Sequence, residues 1–157
     1  MPESPEIPVS PACCAYCDCF LGEGSQETID HFRPKGLPEF AHLVFAWDNL
    51  FPACDQCQGN KRGRFDDPLL RPDASDYRFE RYFLFNCRTG EIEVLPGAPA
   101  EDRTAATTTV EILGLNRGRR PNARRREFRD RGVSASCDLD DRPYRFLPCG
   151  SPAKQPD

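Results

Sequence analysis

The chain has 157 residues, 29% of them charged, with a net charge of −4 and a mean hydropathy of −0.64. That length suits about one domain, and so polar a composition, with sixteen prolines and eleven glycines, leaves a small core and many loops. No stretch approaches the roughly 18 apolar residues of a membrane span, so no spanning helix is expected, and a loop-rich domain of this kind needs a staple of disulfides or metal.

The opening segment MPESPEIPVSPA, residues 1–12, is acidic and proline-rich and lacks the basic and apolar regions of a signal peptide. It is expected to be a flexible segment of a cytoplasmic protein. In that compartment cysteines more often ligate metal than pair as disulfides. Cysteines stand at 13, 14, 17, 19, 54, 57, 87, 137 and 149. Only Cys14/Cys17 in CAYC and Cys54/Cys57 in CDQC have the C-x-x-C spacing, which lets two sulfurs meet one ion. Together they predict a single tetrahedral zinc site that clamps both ends of the 36-residue insert 18–53. Two unrelated knuckles, or buried thiols, are the plainer alternative. Cys13 and Cys19 are substitute ligands, and Cys87, Cys137 and Cys149 are read as thiols outside any metal site.

Within the insert, ETIDHF alternates and predicts a short strand, and RPKGLPEF, with two prolines and a glycine, predicts a loop. HLVFAWDNLFP predicts a second strand or turn, with Trp47 in the core. CQGNKRGRF begins a short helix whose early N–H groups and basic residues face an anion. After it, YRFERYFLFNCRTGEIEVLPG predicts a β-hairpin turning at RTG. APAEDRTAATTTVEILGLN predicts a helix from about Pro99 to Leu113, stopped by Gly114, with Ala106, Val110 and Leu113 buried.

Residues 117–131, RGRRPNARRREFRDR, hold eight arginines against Glu127 and Asp130, or +6. The first 57 residues hold nine acids against Arg33 and Lys35, or −7. A basic helix invites nucleic acid or an acidic partner surface, or is simply a solvated helix. Residues 132–157 are expected to form a mostly irregular tail.

CAYC, IDHFRPK, WDNLFPACDQC and GRFDDPL, in that order, resemble the HNH endonucleases of ββα-metal type. Among these the chain is most similar to the small HNH proteins of Septu and retron anti-phage systems. The likeness covers about residues 14–70 and continues weakly through EILGLNR. It implies an α+β fold: a zinc-clamped, treble-clef-like ββα-metal nuclease unit over 13–70, then a β-hairpin and C-terminal helices over 71–131. It also implies phosphodiester hydrolysis, of DNA more than RNA, beside an ATPase of the ABC or SMC type.

The resemblance assigns roles as well. His31 is the general base, since a neutral imidazole accepts a proton from water. Asp30, on the other face of the strand, holds a catalytic magnesium or manganese ion against the phosphate, and products carry a 5′-phosphate. Asn49 orients the histidine. The family's last position, usually His or Asn, is Gln58 here, with Asn60 two residues on as the other candidate ligand. Lys61, Arg62 and Arg64 are candidate phosphate contacts or a solvated basic turn; His42 is a packed or surface residue. The competing function is a zinc-built module for binding nucleic acid or protein whose catalytic metal site has weakened. Gln58 and the pI of about 5.3 favour it.

Overall fold

Two short strands and a helix enclose the cysteines, because each strand is only long enough to pair with the other. The computed structural model describes residues 9–10, 12–22, 26–133 and 142–148. The expectations for residues 1–8, for Cys137 and Cys149 and for most of the tail lie outside them. Strand β1 (Glu27–His31) pairs antiparallel with β2 (Leu50–Cys54), setting Asp30 opposite Phe51 and His31 opposite Leu50. Helix α1 (Asp55–Lys61) follows at once. Its cap is Cys54, whose Sγ accepts from the Cys57 amide at 3.4 Å.

The second strand lies later than its apolar run suggests. All five residues of β1 pair with 50–54, which leaves no partner for 38–49, and these residues form two 3₁₀ turns, Pro38–Leu43 and Trp47–Asn49. Trp47 is therefore not a core residue: it is 88% exposed, and Phe45 is 91% exposed. His42 is a surface residue. The core of this half is Phe32, Phe51 and Ala53 with the cysteines. Phe32 meets Phe51 and Phe65 edge-on.

A one-turn helix, α2 (Phe79–Tyr82), leads into the second hairpin, β3 (Phe83–Phe85) with β4 (Ile92–Val94). Asn86 builds the turn by accepting the amides of Arg88 and Thr89. Gly90 closes it at φ +78, where a Cβ would fall 1.9 Å from the Pro121 carbonyl oxygen. Only glycine allows so close an approach. Helix α3 (Ala100–Leu113) ends at a left-handed Gly114, as expected. Its buried face is Asp102, Ala106, Thr109, Ile112 and Leu113. Val110 is half-buried, so the stripe is turned toward Thr109, whose hydroxyl donates to the Ala105 carbonyl and accepts from the Leu70 amide.

Helix α4 (Arg120–Val133) departs furthest from its sequence. Arg120, Arg124, Phe128 and Arg131 are buried, and their spacing of four, four and three puts them on one helical face. The surface they cover is made of carbonyl ends. Arg124 donates to Gly90 O, Leu115 O and Asn116 Oδ1. Arg120 donates to Leu113 O and Gly114 O, and Arg131 to Leu147 O, Pro143 O and Tyr144 O. Helix ends and turns leave such acceptors unsatisfied, and a guanidinium brings five donors to them. Three of the eight arginines of the basic run are internal wiring. Of the tail, residues 142–148 carry no helix or strand, yet Tyr144 and Leu147 pack with Phe128 and Arg145 pairs with Asp18. The whole is an α+β domain of two hairpins and helices.

Candidate functional site

Cys14, Cys17, Cys54 and Cys57 are buried, and their sulfurs lie within 4.8 Å of one another. Cys17 Sγ and Cys54 Sγ are 3.8 Å apart, the edge of a tetrahedron with metal–sulfur bonds of about 2.3 Å. The first knuckle turns through Asp18 at φ 58, and the second is the start of α1. The cluster is able to coordinate one metal ion, and four sulfurs in this geometry suit zinc. Cys13 stands apart: burial, then the Asp18 charge, pushes its thiol up to about 11. Cys19 reaches Cys14, Cys17 and Cys54 without joining the four.

Arg120 supports the same assignment. Its Nε donates to Gln56 Oε1 at 2.9 Å, inside the second knuckle, and it shares a cavity wall with Cys17 and Cys54. Nη2 is buried without a hydrogen-bond partner among the described residues. Burial pulls this guanidinium down, but the charges of Cys57, Cys17, Cys54 and Cys14 outweigh it. Four thiolates around Zn²⁺ carry a net −2, for which a buried guanidinium is a fitting counter-charge.

Asp30 and His31 leave β1 on opposite faces. Asp30 is buried; Lys61 Nζ and Tyr16 Oη meet its Oδ2 at 2.9 and 2.6 Å. Burial, then the Asp30 charge, pushes the Tyr16 hydroxyl far above its ordinary range, so it stays protonated and donates. Lys61 also donates to the His31 carbonyl at 2.7 Å. It is fully buried and is not a surface cation for phosphate. Its spacing from Cys57, one helical turn, was the signal for that burial. The Asp30–Lys61–Tyr16 cluster was otherwise missed, because Tyr16 is far away in sequence.

His31 is half-buried, and Nε2 lies 3.0 Å from Val44 O. A carbonyl only accepts, so Nε2 carries the hydrogen and Nδ1 the lone pair of the neutral ring. Asn49 is buried and holds two loops together. Its Oδ1 accepts from Arg33 N at 2.8 Å, and Nδ2 donates to Arg33 O and Leu43 O at 3.1 and 3.2 Å. Gln58 sits on the β1 side of α1 and donates through Nε2 to Ile29 O at 3.0 Å. Asn60 faces the other way, against Gly114 and Arg117. Arg62 and Arg64 are exposed; Arg64 Nη2 is anchored on Asn60 O and Ile112 O.

These donors do not fit a magnesium ion as they stand. Asp30 Oδ2 already carries an ammonium and a hydroxyl, and the Gln58 amide nitrogen is committed to a carbonyl. Lys61 supplies at Asp30 the positive charge a cation would bring.

No family model matches the chain. It is 33% identical over 108 residues to the Septu protein PtuB of Bacillus thuringiensis, covering 66% of this chain and 36% of that protein. It is 29% identical over 153 residues to the retron Ec83 putative HNH endonuclease of Escherichia coli, covering 72% of this chain and 58% of the relative. A second Septu protein PtuB, from Bacillus mycoides (strain KBAB4), is 32% identical over 63 residues. The chain thus spans about a third of the first relative and under three-fifths of the retron protein. What the fold and cluster define is a metal-binding α+β module. The similarities relate it, at family level, to Septu proteins PtuB and to a retron putative HNH endonuclease.

Proposed function

We propose that the chain is a nucleic-acid-directed module of the HNH endonuclease type, built on a four-cysteine zinc site and hydrolysing phosphodiester bonds, DNA first, with His31 as general base. The observation that carries this reading is the placement of His31. It ends β1 of a strand–strand–helix unit closed by the cysteine cluster, with its ring oriented by Val44 O. Nδ1 then accepts a proton from the attacking water. The water oxygen bonds to phosphorus, the bond to the 3′ oxygen breaks and leaves a 5′-phosphate, and that oxygen takes a proton from solvent. Asn49 positions the loop that holds the ring. Arg62 and Arg64, exposed just past the C-terminal end of α1, are the phosphate contacts. In the family pattern Asp30 and Gln58 would be the donors for magnesium or manganese, a role that Lys61 at Asp30 opposes.

A role in anti-phage defence beside an ATPase belongs to the same reading and rests on the sequence resemblance, with relatives named as Septu and retron proteins. No helix of the described residues is long and apolar enough to cross a membrane. The second reading, a binding module that does not cut, is favoured by one observation: the Asp30–Lys61 pair, which satisfies the carboxylate internally. Incubation with supercoiled plasmid separates the two, over a titration of magnesium and manganese, with and without the ATPase. Nicking that Gln58→Ala weakens and Gln58→Asn preserves supports hydrolysis. Binding without nicking under every condition supports the module.

A further inference from the structure

We propose that Phe45 and Trp47 form a stacking platform for the bases of an unpaired stretch of nucleic acid that enters beside His31. The inference rests on the nucleic-acid reading above and adds the strand form of the substrate. Both rings are almost wholly in water, at 91% and 88% exposure, while Val44 and Ala46 beside them are half-buried. The backbone is held and the rings are presented.

What holds it is the candidate site itself. Val44 O accepts from His31 Nε2 and Leu43 O from Asn49 Nδ2. Asn49 fastens the neighbouring turn 32–37 with the same side chain, through Arg33 N and O. That turn carries exposed Arg33 and Lys35 and no acid. Arg71, already paired with Asp73, donates to Asp48 O next to Trp47 and so helps to hold that backbone. Rings for bases beside cations for phosphates is how single strands are bound without sequence preference. A duplex covers its base faces by its own stacking, so the platform selects unpaired nucleotides. A protein partner fits less well. The segment that carries the rings also exposes Glu39, His42 and Asp48, a charged composition unlike that of an interface core.

Trp47 is the sole tryptophan, so its fluorescence reports the platform alone. The test titrates the full chain, as His31→Ala to prevent cutting, with a fluorescein-labelled oligothymidylate and with a duplex of equal length. Emission of Trp47 should be quenched by the single strand and not by the duplex. Trp47→Ala and Phe45→Ala should each weaken single-strand binding by about tenfold or more, and duplex binding by less than twofold. Binding with unchanged emission and unchanged affinity in Trp47→Ala overturns the platform and leaves the nucleic-acid reading standing. Binding of neither nucleic acid overturns both. A dimer in sedimentation that Trp47→Ala abolishes assigns the rings to a second copy and also overturns the platform.

Discussion

Lys61 Nζ lies 2.9 Å from Asp30 Oδ2, and the two side chains are 0% and 6% exposed. An ion pair so enclosed gives little net stability, but removing one partner strands the other charge, at about 3–5 kcal/mol. Lys61→Met should therefore destabilise the protein by roughly 3 kcal/mol or more in denaturant unfolding. Asp30→Asn combined with Lys61→Met should recover most of that loss, because neither charge is then left alone. Singles that unfold at the wild-type midpoint would show that the pair is not buried as described.

The cysteine cluster makes a separate demand. Purified protein should hold about one zinc per chain. Cys14→Ser or Cys57→Ser should cost the fold, while Cys13→Ala should retain the metal. Arg120→Met should speed zinc transfer to a chromogenic chelator, and Arg120→Lys should partly restore the wild-type rate. Chain that stays cooperatively folded after chelation removes its zinc would contradict a structural role for the site.

Arg124 tests the inward face of α4. Replacing it with Met leaves Gly90 O and Leu115 O without this donor, while Asn116 Oδ1 keeps the Ile92 amide, and each orphaned group costs about 1–3 kcal/mol. A loss of roughly 3 kcal/mol or more is expected, against less than about 0.5 kcal/mol for exposed Arg126→Ala. Burial lowers the Arg124 guanidinium to about 10, which leaves it charged at neutral pH. Equal effects of the two variants would return the helix to a uniformly solvated surface.

Acid should weaken one tie between α2 and α3. Hydrogen bonds from Arg81 hold the Asp102 carboxyl below its usual range. A lowered carboxyl stabilises the fold above the ordinary carboxylate range, and the contribution fades as pH falls through the depressed value. Arg81→Ala should thus lower the melting temperature at pH 7 and leave it nearly unchanged at the most acid pH that keeps the fold. The same difference at both pH values would disconnect Arg81 from Asp102.

How much of this was legible in the sequence depended on whether a signal is local. C-x-x-C spacing, Pro99 and Gly114 fix their elements within a few residues, and the four sulfurs and the α3 boundaries stand where those signals put them; the second hairpin turns at RTG as expected, but its first arm is shorter because Phe79–Tyr82 form α2. The second strand slipped because an apolar run says nothing about whether a partner strand remains, and β1 had none to spare. For the same reason Trp47 looked like core. The buried arginines were illegible for a different cause: their partners are backbone carbonyls of Gly90, Leu113 and Leu115, groups with no residue-type signature. At the site, Asp30, His31 and Gln58 are close through β1 and α1, yet Lys61 as the counter-charge of Asp30 emerged only from three dimensions.

The most direct measurement is cleavage of a labelled DNA substrate by wild type and His31→Ala, in magnesium and in manganese, with zinc content and unfolding midpoint followed in parallel. His31→Ala should lose about 10²-fold or more of the cleavage rate, the usual share of a general base, with zinc and stability unchanged. Cutting by His31→Ala at the wild-type rate would contradict the assignment of His31 as the base.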